Sequence, residues 1–204
     1  MADGHKLLME TLLEEVADTA PGKSLLDLGC GTGKFLALAE AVGFSPTAGI
    51  DASPKMITTS QSSAPNADVI VGQFESLPWT DQSFDQVTSI EAIYYCPDPS
   101  QAFQEIARVL KPKGRLDIII DYYAESEGTA TWDEGLGFEI TRLSTQEWCD
   151  LAAAAGFKNC QSRRIVNPDG AAMVKDWSAS VWYPTQESYN NYLMNSAFWL
   201  TAYL

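Results

Sequence analysis

Apolar residues along the chain occur at two spacings, one typical of helices and one typical of buried strands. Leu8, Leu12 and Val16 recur at helical spacing near the start. Short apolar runs then follow, separated by turn residues, as expected for strands of a parallel sheet. These predicted strands cover residues 24–29, 47–51, 68–71, 84–90, 115–121 and 161–166.

Helix-start signals lie between the predicted strands. A capping residue before a proline, or a capping box, marks a helix N-terminus. Such signals occur at Ser53-Pro54, at Asp98-Pro99 and at Ser144 to Glu147, and a further helix is predicted over residues 34–42. Strands alternating with helices predict βαβ units, and hence a mainly parallel sheet covered by helices on both faces.

Two regions fit this alternation poorly, residues 122–143 and the residues after Asn167, and we expect them to be additions at an edge of the sheet. The second region is rich in aromatic residues, and Thr185 is placed to cap a helix that carries Tyr189, Tyr192 and Leu193. This tail could be a substrate lid, part of the core or a dimer surface. Packing is favoured, because aromatic stripes usually pack.

Composition narrows the classes of function. The net charge of −14 disfavours nucleic acid and anionic membranes as partners. We expect no signal peptide and no membrane span, and the four cysteines without a CxxC pair suggest a reducing cytosol with neither disulfide nor metal site. The single histidine, His5, lies near the terminus, so an internal histidine base is not expected.

A glycine-rich turn follows the first predicted strand, in the pattern Asp27-x-Gly29-x-Gly31-x-Gly33. A phosphate-binding P-loop would need glycine where Leu28 stands and a hydroxyl where Phe35 stands. A dinucleotide-binding turn would need a third glycine at Lys34, which weakens that alternative without eliminating it.

The neighbourhood of this turn resembles the class I S-adenosylmethionine-dependent methyltransferases, in their small-molecule, type 11-like branch. The resemblance covers about residues 25–157 and rests on five segments in family order. These are DLGCGTG at 27–33, Asp51, GQFESLPW at 72–79, FDQV at 84–87 and RVLKPKG at 108–114. A single segment of this kind is weak evidence, whereas five in order are specific.

The resemblance implies a Rossmann-like, doubly wound α/β fold with a mainly parallel seven-stranded sheet and aromatic-rich C-terminal additions. It implies one domain over 1–204, with a cofactor half at about 22–121 and acceptor-side additions at about 122–143 and 167–204. The implied cofactor is S-adenosylmethionine, without metal. The implied cofactor-binding residues are Asp27, Gly29, Cys30, Gly31, Gly33, Asp51, Ala52, Met56, Gln73, Phe74, Glu75 and Glu91.

Individual roles follow from the chemistry of this cofactor. Asp51 would accept hydrogen bonds from the ribose hydroxyls, Asp27 would receive the ammonium, and the glycines would let the backbone come close. Helix amides after the turn could receive the carboxylate. Gln73 stands where the family has an aspartate for the adenine amino group, and Phe74 is either an adenine wall or a core side chain.

The acceptor side departs from the family. Where the family often has a His-His pair, this chain has Tyr94 and Tyr95, and tyrosine is a poor base at neutral pH. Transfer of a sulfonium methyl needs alignment more than a base. If a base is needed, Glu91, Tyr95 and Asp121 are the candidates, with Tyr95 and Glu91 proposed as catalytic.

The sequence therefore predicts a cytoplasmic enzyme, monomer or homodimer, that methylates a small-molecule acceptor without nucleic acid or membrane as partner. The target atom, O, N, S or C, stays open. One alternative is a catalytically silent methyltransferase-like binding or regulatory subunit. Another is a nicotinamide oxidoreductase, for which we expect no NADH binding.

Overall fold

The computed structural model describes residues 4–137, 139–166, 177–194 and 196–204. Its strands are β1 (Leu25–Leu28), β2 (Thr47–Asp51), β3 (Asp68–Val71), β4 (Phe84–Ile90), β5 (Leu110–Ile120), β6 (Lys158–Val166) and β7 (Ser196–Tyr203). Its α-helices are α1 (Gly4–Val16), α2 (Lys34–Ala41), α3 (Pro54–Ser63), α4 (Pro99–Val109), α5 (Trp132–Leu136), α6 (Thr145–Ala154) and α7 (Gln186–Met194).

The strands form one seven-stranded sheet in the order β3-β2-β1-β4-β5-β7-β6. Strands β1 to β5 pair with one another in parallel. Strand β7 runs antiparallel to both of its neighbours, β5 and β6. The predicted mainly parallel α/β sheet is confirmed. The expected edge position is wrong for β7, which lies inside the sheet because it pairs on both sides and leaves β6 at the edge.

Alternating side chains of the central strands feed two separate core layers. Leu26 of β1 belongs to the same buried cluster as Phe103 of α4 and Trp148 of α6, whereas Leu25 belongs to a second cluster with Leu12 of α1. All five side chains are buried. Because successive side chains of a strand point to opposite faces, a strand with helices on both sides is apolar throughout, and β1 is buried at all four positions.

The predicted helix starts form as their capping residues require. The side chain of Ser53 accepts from the Met56 backbone N–H, and that of Asp98 accepts from the Gln101 N–H at 3.0 Å. Ser144 forms the predicted capping box at the start of α6. Each such cap typically contributes about 1 kcal/mol.

Two strands begin earlier than predicted. β5 starts at Leu110 rather than at Arg115, because Leu110 pairs with Phe84 before a shift in register. The intervening turn residues, including Lys113 at φ +66°, form an irregularity within the strand. β6 starts at Lys158 rather than Gln161, also with a register shift against β7.

The aromatic tail divides into a core strand and a surface helix. Phe198 and Trp199 of β7 are almost fully buried in the two core layers. In contrast, α7 packs on the 122–143 region, where a Cβ on Gly128 would lie 2.3 Å from the Tyr192 backbone nitrogen. Residues 167–176 of the expected addition lie outside the described residues. In the described part of the chain, no helix is long and apolar enough to span a bilayer.

Candidate active site

A cavity of about 440 Å³ lies at the carboxyl ends of β1 and β4, under the start of α1. Ligands of doubly wound sheets bind at this edge, where the strand order reverses. The residues that line the cavity are His5, Met9, Asp27, Gly29, Cys30, Gly31, Thr32, Lys34, Phe35, Met56, Ile90 and Glu91. Six of the predicted cofactor-binding residues are therefore brought together: Asp27, Gly29, Cys30, Gly31, Met56 and Glu91.

The three glycines of the turn lack side chains for different reasons. A Cβ on Gly29 would lie 2.2 Å from the Cβ of Ala92, and one on Gly33 would lie 2.4 Å from Oγ of Ser60. Close packing inside the protein therefore explains why both positions are glycine. A Cβ on Gly31 would meet nothing closer than the Gly29 carbonyl oxygen at 3.9 Å, although its φ of +51° also favours glycine. The space beside Gly31 is thus open to a ligand.

Asp51 joins the end of β2 to the glycine turn. Its carboxylate accepts from the Gly31 backbone N–H at 3.0 Å and from the Ser53 N–H at 2.9 Å. A carboxylate oxygen has a second lone pair, so both oxygens can still accept from a pair of hydroxyls. The predicted ribose-binding residue therefore has a second task, which is to position the glycine that faces the cavity.

Asp27 contributes a buried carboxyl group to the cavity wall. Its side chain is only 3% exposed and accepts from the Thr88 hydroxyl at 3.1 Å. Burial raises the pKa of Asp27 to about 7, and the negative charge of Asp51 adds to the rise although the Thr88 hydrogen bond opposes it. A cationic ligand group beside Asp27 would lower this pKa again.

The other predicted cofactor-binding residues, Gly33 and Asp51 among them, do not line the cavity. Ala52 and Gln73 are exposed, and the Phe74 ring reaches the Gly29 turn, 3.5 Å from where a Gly29 Cβ would lie. Glu75 accepts from the Asp98 backbone N–H at 3.3 Å, so its carboxylate supports the start of α4.

Sequence reasoning missed the contribution of α1. His5 and Met9 line the cavity one helical turn apart. Burial lowers the pKa of His5, and the charge of Lys34 lowers it further, which favours the neutral imidazole. The sequence did contain a signal for this contribution. His5 lies one helical turn before Met9, and therefore on the same apolar face of α1. Cys30, in the same wall, is not a reactive thiol, since burial raises its pKa to about 12.

Two carboxyl groups lie side by side where β4 and β5 end. The side chain of Glu91 accepts from the Asp121 backbone N–H and from the Tyr94 hydroxyl at 3.1 Å. Asp121 accepts from the Tyr192 hydroxyl at 2.7 Å. Burial raises the pKa of Glu91 well above its ordinary value, and the charge of Asp121 adds to this effect. Burial also raises the pKa of Asp121 to about 6.

Aromatic rings surround this carboxyl pair. Tyr95 is 40% exposed and lies outside the cavity wall, with its ring centroid 4.6 Å from that of the buried Tyr94. On the other side, the Tyr192 ring lies 5.9 Å from Trp132 and 4.9 Å from Tyr183. The two acceptor-side additions thus meet at the carboxyl end of β5. In the described part of the chain, no cluster of ligating side chains is suited to a metal ion.

The mostly parallel sheet, its helices and the glycine turn at its carboxyl edge define a Rossmann-like α/β fold. Residues 26–118 match the family model of a methyltransferase domain, Methyltransf_11. Over these residues, a little under half of the chain, the protein is similar to the class I S-adenosylmethionine-dependent methyltransferases of the type 11 branch.

Similar proteins agree on the class and differ in what they act on. An uncharacterized methyltransferase of Mycobacterium tuberculosis is 34% identical over 123 residues, which are 60% of this chain and 49% of that protein. The O-methyltransferase resE of Aspergillus sclerotiorum is 34% identical over 152 residues, covering 69% of this chain and 56% of that protein. The chain spans about half the length of the curated relatives it matches.

Solved structures include a complex between the Haloferax volcanii Trm112 methyltransferase activator and a methyltransferase. That structure has a TM-score of 0.81 and 27% identity to this chain, and the match covers 98% of this chain and 91% of the other. The similarity therefore extends through nearly the whole chain, including the C-terminal additions.

Proposed function

We propose that this chain transfers the methyl group of S-adenosylmethionine to a small-molecule acceptor by in-line displacement. The observation that carries the proposal is the open space beside Gly31, in a cavity that Asp27 also lines and next to a glycine whose N–H Asp51 holds. A compact cofactor with a cationic end and a ribose diol fits this combination of shape and charge.

The residues present would hold such a cofactor along the edge of the sheet. Asp27 would pair with the ammonium and Asp51 with the diol, while the amides that begin α2 receive the carboxylate. Gln73 and Phe74 follow β3, whose next residue Gly72 donates to the Asp51 carbonyl at 3.1 Å. With the ribose at Asp51, the side-chain oxygen of Gln73 would accept from adenine and the ring of Phe74 would face it.

For methyl transfer, the protein must also align the acceptor with the methyl group and exclude water from the site. When bound, the cofactor supplies an electrophilic methyl group on a sulfonium, whose leaving group is a neutral thioether. Glu91 lines the same cavity as Asp27, and the acceptor would lie on the Glu91 side of the cofactor. Tyr95 adjoins that side through Tyr94, and we propose that its hydroxyl orients the acceptor.

Calorimetry and a turnover assay together test the proposal. The purified chain is titrated with S-adenosylmethionine, S-adenosylhomocysteine and NADH, and release of S-adenosylhomocysteine is then measured with a panel of small acceptors. We expect both adenosyl compounds to bind, NADH not to bind, and at least one acceptor to be methylated. Light scattering in the same buffer measures whether the active species is a monomer or a homodimer.

The possible failures of this test are informative in different ways. Absence of cofactor binding would refute the proposal. Cofactor binding without turnover across the panel would instead favour a catalytically silent binding subunit. The departures at Gln73 and at the Tyr94-Tyr95 pair are the features that motivate this second candidate.

A further inference from the structure

The carboxyl pair of Glu91 and Asp121 lacks a counter-ion in the described part of the chain. The ion pairs there involve neither residue. Their hydrogen-bond donors are neutral groups, the hydroxyls of Tyr94 and Tyr192 and the backbone N–H of Asp121. Burying two negative charges without a cation is costly, so this pair is suited either to hold a proton or to receive a cation.

The position of the pair points to a ligand rather than to packing alone. Glu91 is buried, yet it lines the same cavity as Asp27 and Gly31. Its backbone is in the left-handed region, with φ +55°, which is uncommon for a residue with a long side chain. Residues held in such conformations are concentrated at functional sites.

The surroundings of the pair have the chemistry of cation recognition. The rings of Tyr94 and Tyr192 each carry a hydroxyl bonded to one of the two carboxyl groups. The centroid of the Tyr192 ring lies 5.9 Å from that of Trp132, and the Trp132 centroid lies 5.1 Å from that of Trp182. Aromatic faces beside carboxylates attract ammonium groups, whereas an anionic acceptor would be repelled.

We propose that Glu91 and Asp121 form the acceptor subsite for a protonated amine, so that the methyl acceptor is a small primary or secondary amine. This inference rests on the proposed function. It names the acceptor class, which the relatives leave open because they include both an O-methyltransferase and a C-24-methyltransferase.

The carboxyl pair also provides the proton transfer that an amine acceptor needs. An ammonium N–H passes its proton to the Glu91 carboxylate, which restores the nitrogen lone pair. The nitrogen then forms a bond to the methyl carbon while the carbon–sulfur bond breaks, and that bond's electron pair stays on sulfur. The products are an N-methylammonium and S-adenosylhomocysteine, and Glu91 returns its proton to water.

Paired ligands of equal shape and different charge test the inference directly. The full chain, saturated with S-adenosylhomocysteine, is titrated with 2-phenylethylamine and with 2-phenylethanol. Butylamine with butanol and N-methylbenzylamine with benzyl methyl ether form two further pairs. We expect the amine of at least one pair to bind tenfold or more tightly than its neutral partner. Mass spectrometry then checks that this amine is methylated at nitrogen in the presence of S-adenosylmethionine.

Isosteric variants separate the charge of the pair from its shape. Glu91→Gln and Asp121→Asn should each weaken amine binding tenfold or more while leaving binding of the neutral partner unchanged, which also reports that the pocket is folded. Glu14→Gln and Asp18→Asn remove exposed carboxylates outside the cavity and should change neither value.

The inference and the proposed function fail in distinguishable ways. Equal affinity within all three pairs, binding of no amine, or amine binding unaffected in both Glu91→Gln and Asp121→Asn would overturn the amine assignment. Methylation of an alcohol or phenol without any amine would overturn it too, while the proposed function stands. If neither adenosyl compound binds, the proposed function fails and the amine subsite falls with it.

Discussion

A single added methyl group at Gly31 tests whether the glycine turn serves a ligand. In Gly31→Ala, the new Cβ would have no protein atom closer than 3.9 Å. The protein can therefore accommodate it, apart from the cost of a left-handed φ, whereas a cofactor lying against the turn cannot. Gly22→Ala is a matched control, because Gly22 has φ +77°, open space around its Cβ position and no place in the cavity wall.

The expected magnitudes differ for folding and for binding. A left-handed alanine costs about 1–2 kcal/mol at either position. For a chain of this size, that lowers Tm by roughly 2–8 °C. Overpacking of a filled site costs about 1–3 kcal/mol more, and this cost applies only to the cofactor complex of Gly31→Ala. It corresponds to a loss of about 5- to 150-fold in affinity.

Calorimetry with S-adenosylmethionine and thermal unfolding without ligand measure the two effects separately. We expect similar Tm values for the two variants, with weakened binding in Gly31→Ala alone. If the affinity of Gly31→Ala for S-adenosylmethionine is within twofold of that of the unaltered chain, the cofactor does not occupy the open space at Gly31. The central argument for the site is then lost. If Gly22→Ala loses as much affinity as Gly31→Ala, the weakened binding results from general destabilisation of the protein.

Three further predictions concern named side chains. Asp51→Asn should weaken cofactor binding by about 1–3 kcal/mol, the scale for hydrogen bonds to charged groups, and unchanged affinity in calorimetry would contradict the diol role. Since the pKa of Asp27 is about 7 in the free protein and pairing with an ammonium favours the carboxylate, binding should release a proton. Affinity should therefore fall about tenfold per pH unit below pH 7; Asp27→Asn should remove this slope and His5→Gln should retain it. Tyr95→Phe should lower kcat with cofactor affinity nearly constant, and the reverse pattern would place Tyr95 on the cofactor side.

The first part of the sheet was predictable because its signals are local. β2, β3 and β4 have the bounds that their apolar runs predicted. The antiparallel strand β7 was not placed, although the aromatic tail was noted. Its partner β5 ends more than seventy residues earlier, with Ile120 opposite Phe198. Nothing in the local pattern of Ser196–Tyr203 specifies a position between β5 and β6 rather than at the edge.

The same distinction applies to the candidate site. Asp27 and the glycines lie within one segment of seven residues, so their spacing alone indicated a ligand-binding turn. The acceptor side combines the ends of β4 and β5 with α7. The contact between Asp121 and Tyr192 joins residues 71 positions apart, and no motif announces it. His5 was not expected in the site because it lies near the terminus, whereas α1 brings it to the cavity wall.

The placement of acidic groups explains why a turn so similar to phosphate-binding turns suits a ligand without phosphate. Asp27, Asp51, Glu91 and Asp121 lie at or just beyond the carboxyl ends of four adjacent parallel strands. The N-terminus of α2 favours an anion there, but only with the equivalent of about half a charge. Four carboxyl groups, even partly protonated, outweigh that dipole and favour a cationic ligand. We expect a sulfonium with an ammonium to suit this edge of the sheet better than a dinucleotide, and the proposed amine acceptor would extend the same charge preference from the cofactor to its partner in the reaction.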